Sequence, residues 1–581
     1  MSRAFIHSFF TFLLGAFLLV GCNSEGAPPS TSNAPTSEQA DAQAQTLQVQ
    51  NAGDVVIAAT DKSKSPVSAK NRKDTVVVAL TEPGGVFNPY FYHNGYDGNV
   101  TSVMFSPLVD IDRNGKPAPK LAEKWDISAD QLTYTFHLRK NLKFSNGEPL
   151  TADDVAFTLT ILHDKTYDGE TEIAEAHIKG GSAYKEGKTK TIEGIKVIDP
   201  QTIEITTEKV NARSLLLLGG HVLSKAYYGK GYEPGKLDYL RTLHTKPVGA
   251  GPFKFEKFIP GQEVRFVANE YYYEGKPAIT HFIYKTTDGD TTQFFQTGET
   301  DYGSFPANAD NLELLKSLGF ANINIYTSTA YSYLSFNHSK PYLKDKRVRQ
   351  ALIYGLDRQQ IVDAAYQGYA QIANVPVAPV SWAYTEDVNP YAYDVNKAKQ
   401  LLDEAGWKEG SDGIREKDGK KLVLHYLTTK SKVSDVLIPI AKENYKLIGI
   451  QLEAELMDYP ALVARTDKGD HDLASFSTTM LGDPSDGVVQ FSSTGGGSFT
   501  NTHGYSNPKV DELLAKSVGT LDIEKRKEAY KELYQALSDD PPFIFLNYRK
   551  ILSGHNARVE GFEPNGYTGI SSSLPNLKIV E

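Results

Sequence analysis

LAEKWDISADQLTYTFHLRKNLKFSNGEPLTADDVAF, residues 121–157, is the stretch that decides the fold. Apolar and polar residues alternate over 133–138, which is the period-two pattern of a strand buried on one face. A second short run, 142–144, leads into the turn pair Asn146-Gly147, so we expect two strands to meet in a hairpin-like corner. Thr151 predicts a helix N-cap, because its hydroxyl can accept an amide of the first turn and the aspartates after it favour the positive helix end.

The stretch resembles the signature region of the ABC-transporter substrate-binding proteins of the dipeptide, oligopeptide and nickel group, which is solute-binding protein family 5. Two later blocks, 248–279 and 333–358, continue the resemblance in the same order. It implies an α/β, two-lobed periplasmic-binding-protein fold of type II, with an extra domain inserted in the first lobe. The matching residues of the signature are Leu121 to Trp125, Tyr134 to Arg139, Phe144, Asn146-Gly147, Pro149 to Val155 and Phe157.

The resemblance also implies domain borders, since it runs from about residue 75 to 560. Two lobes joined by two crossing segments should enclose a cleft. The expected pieces are 73–104, 192–304 and 546–581 for lobe I, 105–191 for the inserted domain, and 305–545 for lobe II.

The N-terminus predicts export and lipid attachment. An apolar run over 9–20 is typical of a signal-peptide core and is short for a membrane span, so we expect residues 1–21 to be a lipoprotein signal peptide. The residues before Cys22, the only cysteine, resemble a bacterial lipobox, which implies lipid on Cys22. Residues 22–72 are rich in Ser, Ala, Pro, Gln and Thr and are predicted to be a disordered tether, with Val55 to Ala59 as an unsupported stray strand.

Bulk composition fits a soluble globular protein with two or three structural units in 581 residues. The net charge of -10 argues against nucleic acid as a partner, because phosphate binding requires clustered Lys and Arg.

No motif for catalysis or metal binding stands out, so we expect no enzyme activity, no cofactor and no metal site. The sequence contains no phosphate-binding Gly-rich loop, no His-Glu-x-x-His and no Gly-x-Ser-x-Gly. A Ser-x-x-Lys at 182–185 lies in a Gly- and Lys-rich surface stretch and is best explained by chance.

Candidate ligand contacts follow from the resemblance. Many relatives place an aspartate of the second lobe against the amino group of a peptide. Aligning the Asp-Pro pair puts Met480 at that position, whereas a gap would give the role to Asp483; Asp483 or Asp486 is the prediction, with a helix cap or turn as the alternative for each. Arg465 lies near a basic position of oligopeptide relatives, and a solvated surface arginine is its alternative.

A loop after the first strand supplies the remaining candidates. In the family an Asn-Pro loop faces the ligand, and its length and placement match residues 87–98 here. Asn94, Gly95 and Tyr96 are therefore predicted contacts, with a turn that binds no ligand as the alternative.

The resulting hypothesis is a monomeric, lipid-anchored receptor of the periplasm or cell envelope that captures short peptides and delivers them to an ABC permease. One alternative is a receptor for a nickel chelate, haem or another small molecule, for which His93 and His503 would be of interest. Another is a non-transport surface lipoprotein with an adhesion or chaperone-like role.

Overall fold

A sheet of twelve strands runs through the computed structural model, which describes residues 54–288, 291–480, 482–493 and 504–580. Its strands are β1 Val55–Ile57, β2 Thr75–Thr81, β9 Phe253–Ile259, β10 Glu263–Ala268, β11 His281–Thr287, β12 Tyr302–Phe305, β13 Ala321–Phe336, β14 Ala370–Ile372, β18 Val423–Thr429, β19 Gln451–Met457, β20 Leu473–Thr479 and β21 Phe543–Asn556. The main path of the sheet has the order β19-β18-β20-β13-β21-β12-β2-β11-β10-β9, with β1 beside β13 and β14 beside β21.

Two long strands, β13 and β21, join the two halves of this sheet. Residues 321–327 of β13 pair with 550–556 of β21, which also pairs with β12. Residues 330–336 of β13 pair with β20. Between them the register of β13 against β21 shifts, from Thr327 opposite Lys550 to Tyr331 opposite Tyr548. Such an irregularity bends a strand locally. We call the half containing β2 and β9 to β12 lobe I, and the half containing β18 to β20 lobe II.

A smaller antiparallel sheet, β5-β6-β8-β7, shares one hydrophobic core with lobe I. Lobe II has two large cores and a third, small one. The borders predicted for the lobes and the inserted domain stay predictions. The remaining strands are β3 Val109–Ile111, β4 Pro117–Pro119, β5 Ala122–Ile127, β6 Thr133–Leu138, β7 Ile195–Asp199, β8 Thr202–Thr206, β15 Lys408–Glu409, β16 Arg415–Lys417, β17 Lys420–Lys421, β22 Val559–Glu560 and β23 Lys578–Ile579.

No α-helix in the described ranges is long and apolar enough to cross a bilayer. The α-helices are α1 Val67–Lys70, α2 Gly95–Met104, α3 Ala152–Leu162, α4 Gly181–Lys185, α5 Ser214–Leu218, α6 Lys225–Tyr228, α7 Thr292–Gln296, α8 Ala309–Leu318, α9 Lys346–Tyr354, α10 Arg358–Tyr366, α11 Val395–Glu404, α12 Lys432–Leu447, α13 Tyr459–Asp467, α14 Pro508–Val518 and α15 Ile523–Asp539.

The signature stretch folds largely as its pattern predicts. Strand β6 alternates buried and half-buried residues, and Thr151 forms a capping box with Asp154 at the start of α3. The expected second strand is wrong: 142–144 form only an isolated bridge, in which Lys143 pairs with Pro149. Instead, β6 pairs with β5 on one side and with β8 on the other, and all residues of β6 from Thr133 to His137 are paired with β8.

The C-terminal part of the predicted tether is also corrected. Residues 54–72 are folded onto lobe I: β1 pairs with β13 from Val55 opposite Ile325 to Ile57 opposite Ile323. Further along, Arg72 forms an ion pair of 2.9 Å with the fully buried Asp301. The β-branched run therefore has a partner strand about 270 residues away in the chain, which a local pattern cannot reveal. Residues before Asp54, including Cys22, lie outside the described residues.

Candidate functional site

A cavity of about 570 Å³ lies between lobe I and the segment Gly482–Asp486, which follows β20 of lobe II. Its aromatic wall includes Tyr90, Tyr92 and Phe105. The hydroxyl of Tyr90 donates to the carbonyl oxygen of His221 at 2.6 Å, which fixes the ring, and burial raises the pKa of Tyr90 so that it stays protonated. A cavity of this size with aromatic and polar lining suits a small organic ligand.

Asp483, one of the predicted ligand contacts, lies in the cavity wall, but its carboxylate is already bound by an arginine of the protein. Its carboxylate accepts two hydrogen bonds from Arg526 at 2.6 and 2.8 Å. The Arg526 guanidinium in turn stacks over Trp382, 5.0 Å from the ring centre. Burial tends to raise the pKa of Asp483, but the charge and hydrogen bonds of Arg526 outweigh it and hold the pKa below its usual range.

Asp486 lies beside Asp483 and connects the two lobes. It accepts hydrogen bonds from the backbone amides of Gly482 and Asp483, as in a capping box, and forms an ion pair of 3.3 Å with Arg213. Burial raises the pKa of Asp486 above its usual value, because Arg213 offsets only part of the desolvation. Arg213 also contacts Glu175 at 3.1 Å within its own lobe. The pair is therefore a bridge across the cavity.

The other predicted contacts lie outside the cavity wall. Asn94 caps α2, where its side chain accepts from the amides of Tyr96 and Asp97, and Gly95 and Tyr96 form the first turn of that helix. The loop nevertheless reaches the cavity, but through Pro89, Tyr90 and Tyr92, a few residues earlier than predicted. A ligand contact by Asn94, Gly95 or Tyr96 stays a prediction.

Arg465 and Met480 are likewise occupied elsewhere. Arg465 lies on α13 and forms ion pairs with Glu455 and with Asp470, the latter at 2.9 Å. Met480 is 2% exposed and packs in a core of lobe II. Neither side chain lines the cavity. Their roles in ligand binding stay predictions.

Several cavity residues had no motif in the sequence, among them Arg213, His221, Asp110 and Lys120. They come from short loops and from the ribbon of β3 and β4, whose sequence pattern is weak. The resemblance indicated Asp483 and Asp486 on the lobe II side of the cavity and, on the lobe I side, only the loop after β2. Burial lowers the pKa of His221, so its imidazole is neutral near pH 7.

No group of three or more potential metal ligands occurs within the described ranges. His93 lies 3.4 Å from Glu170 at the edge of the cavity, and both side chains are exposed. His503 lies outside the described residues.

Comparisons with known proteins agree with this architecture. The model of bacterial extracellular solute-binding proteins, family 5, matches residues 116–499. The chain is 29% identical to the oligopeptide-binding protein AppA of Bacillus subtilis over 87% of this chain and 91% of that protein. The structure of AppA with a nonapeptide superposes with a TM-score of 0.74 at 26% identity, covering 88% of this chain and 99% of AppA.

Relatives with other ligands are similar to the same degree. Heme-binding protein A of Haemophilus influenzae is 27% identical over 89% of this chain and 96% of that protein. The structure of NikZ from Campylobacter jejuni with Ni(L-His) has a TM-score of 0.71 at 27% identity, over 87% of this chain and 99% of NikZ.

The fold is thus the α/β periplasmic-binding-protein fold of AppA. Since the family model covers more than half of the residues, the chain belongs to family 5 of the bacterial extracellular solute-binding proteins.

Proposed function

We propose that the protein is a receptor that captures short peptides in the cavity between its lobes and delivers them to an ABC permease. The carrying observation is the position of the cavity, which is lined by lobe I on one side and by Gly482–Asp486 on the other. A ligand there contacts both lobes and so favours their closure by a hinge motion. As a member of this family the protein binds a solute and is not an enzyme.

Peptides are favoured as ligands by the size and chemistry of the cavity. A volume of about 570 Å³ corresponds to a mean dimension of about 8 Å, which spans two or three extended residues at roughly 3.3 Å each. The wall combines aromatic rings with charged groups, which suits a main chain and its side chains. The similarity to AppA, an oligopeptide-binding protein, supports the same class of ligand.

The alternative is a nickel chelate or haem, supported by the comparable similarity to NikZ and to heme-binding protein A. A ligand panel separates these hypotheses. The chain from Asp54 to Glu581 would be unfolded, refolded without ligand, and incubated with a tripeptide library, nickel with histidine, and haem. Native mass spectrometry should show tripeptide adducts and no increase for the other two probes. Adducts of haem or of a nickel–histidine complex alone would contradict the peptide proposal.

We further propose that a lipid on Cys22 holds the protein, as a monomer, at the cell envelope, and that the residues between Cys22 and Asp54 act as the tether. The family is extracytoplasmic, and the sequence around Cys22 supports the anchor. Cells fed with labelled palmitate should incorporate the label into the wild-type protein and not into Cys22→Ser. Equal labelling of both proteins would contradict the anchor.

A further inference from the structure

A two-stranded ribbon of lobe I forms one wall of the cavity and carries two charges. Asp110 lies on β3 and Lys120 directly follows β4, and both line the cavity. Asp110 is opposite Ala118 in the register, so Lys120 lies two residues further along on the same face. The ribbon is held firmly, because the amide of Val109 donates to the carbonyl of Gly219 at 2.9 Å and that of Lys120 donates to Leu108 at 3.0 Å.

These two charges lack the partners that the other charged groups of the wall possess. Among the described residues, the Asp110 carboxylate accepts one hydrogen bond, a local one from the amide of Ile111 at 2.9 Å. Within the described part of the chain, neither Asp110 nor Lys120 has an opposite charge within 4.0 Å. The remaining charged groups of the wall are paired as Glu170 with His93, Glu172 and Asp486 with Arg213, and Asp483 with Arg526.

The cavity as a whole is acidic, with five carboxylates in its wall against two cationic side chains. His221 adds no compensating charge, since burial lowers the pKa of its imidazole. Carboxylates in a concave, partly desolvated site favour a cation.

The spacing of Asp110 and Lys120 matches a short zwitterion. Diagonal neighbours on one face of an antiparallel pair are about 7–8 Å apart. The two termini of an extended dipeptide or tripeptide are separated by about 7–11 Å, and the flexible lysine side chain can cover that range. A peptide therefore fits with its ammonium group at Asp110 and its carboxylate near Lys120.

Building on the proposed peptide function, we infer that Asp110 binds the free amino terminus of a dipeptide or tripeptide and that Lys120 binds its carboxylate. The two residues select short peptides with both termini free, and they fix the direction in which the peptide lies. Asp483 and Asp486 instead maintain the opposite wall, because their carboxylates are already engaged by arginines.

Blocked peptides test this assignment. A library of dipeptides and tripeptides would be prepared in three forms, namely free, N-acetylated and C-amidated, and binding to the ligand-free protein measured by competition. The wild type should bind the free form at least about 30-fold more tightly than either blocked form, since each block leaves one charge of the wall unpaired.

Two variants assign each terminus, and a third serves as control. Asp110→Asn should lose the preference for a free amino terminus and keep that for a free carboxylate, whereas Lys120→Gln should do the reverse. Glu123→Gln, which removes an exposed charge from β5, should behave as the wild type. This crossed pattern does not arise from a merely structural role.

The outcomes separate this inference from the proposed function. Equal affinity of the wild type for free and blocked peptides, or an unchanged preference in Asp110→Asn, would overturn the assignment while leaving the peptide receptor in place. No binding of any of the three forms would overturn both.

Discussion

At the scale of single residues, the structure distinguishes carboxylates that hold the protein together from those that are free to bind. Asp483 belongs to the first group, because its two oxygens accept from Arg526 and the guanidinium is itself buried against Trp382. The family resemblance alone made Asp483 a candidate for the peptide amino group. The contacts of Arg526, which is 43 positions away in sequence, give the carboxylate another role.

We predict that Asp483→Asn lowers the free energy of unfolding of the ligand-free protein by about 3 kcal/mol or more at pH 7, because it leaves the Arg526 charge buried and unpaired. The pKa of Asp483 is lower in the folded than in the unfolded protein. Its contribution is therefore present above the ordinary carboxyl range and is lost as the pH falls through the folded-state pKa. Urea denaturation followed by circular dichroism measures the loss.

Lys527→Met is the matched control, because it breaks an exposed ion pair with Glu524 on the same helix as Arg526. Such surface pairs contribute little, so its unfolding curve should follow the wild type. If Asp483→Asn kept full stability and only weakened peptide binding, Asp483 would be a ligand contact after all.

At the scale of elements, the sequence predicts what short-range patterns determine. Strand β6 and the helix start at Thr151 follow from alternation and capping chemistry within a few residues. The cap at Thr151 is a contact within three residues, since the amide and hydroxyl of Thr151 both donate to Asp154. These features depend on residues that are close together in the chain, and so the sequence alone was enough to predict them.

The site could not be predicted to the same extent, because its residues meet only in the fold. Arg213 and Asp486 are 273 positions apart yet form one ion pair, and Asp110 reaches the same cavity from a three-residue strand. Strand β1 illustrates the same limit. Its three residues lie in a polar, low-complexity stretch, and only pairing with β13 makes them a strand.

We predict that the segment from Asp54 to Arg72 is part of the folded domain and that its removal is costly. A chain that begins at Asp74 should be less stable than one that begins at Asp54, by about 3 kcal/mol. It loses the β1 ladder and leaves the buried Asp301 with one arginine, Arg558, instead of two. Denaturation of both shortened chains in urea measures the difference.

Val56→Thr in the longer chain is the control for nonspecific effects of the segment, because Val56 is 71% exposed and its side chain faces away from the core. This variant should unfold at the same urea concentration as the longer parent chain. Equal midpoints and slopes for the two shortened chains would mean that the first strand adds no stability.

At the scale of the whole molecule, the register shift of β13 and the bridge across the cavity fit the proposed hinge motion. The register shift of β13 at Thr327 to Tyr331 lies where the chain passes between lobes, and the bulged stretch is a place where the two halves can pivot. On the far side of the cavity, Arg213 joins lobe I to Asp486 of lobe II. In the hinge motion proposed above, this contact would form only when the lobes are close, so it would stabilise the closed form relative to the open one.

We predict that Arg213→Gln shifts the protein toward the open form and accelerates ligand release by about 10-fold, which corresponds to the loss of roughly 1.4 kcal/mol from the closed state. The only cysteine, Cys22, is absent from a chain that begins at Asp54, so spin labels can be placed at Lys124→Cys and Lys468→Cys. Distances between the labels, measured with and without the tripeptide library, should show one short distance in the liganded parent and a mixture in the Arg213→Gln variant.

Glu175→Gln provides the matched control, because it removes the nearer of the two lobe I carboxylates that contact Arg213 and leaves the bridge to Asp486 intact. This variant should retain the short distance and the slow release of the parent. The opposite order of effects, with Glu175→Gln opening the protein and Arg213→Gln leaving it closed, would mean that Arg213 serves to order its own lobe. Closure would then depend on the ligand contacts alone, and the ion pair between Arg213 and Asp486 would have no part in it.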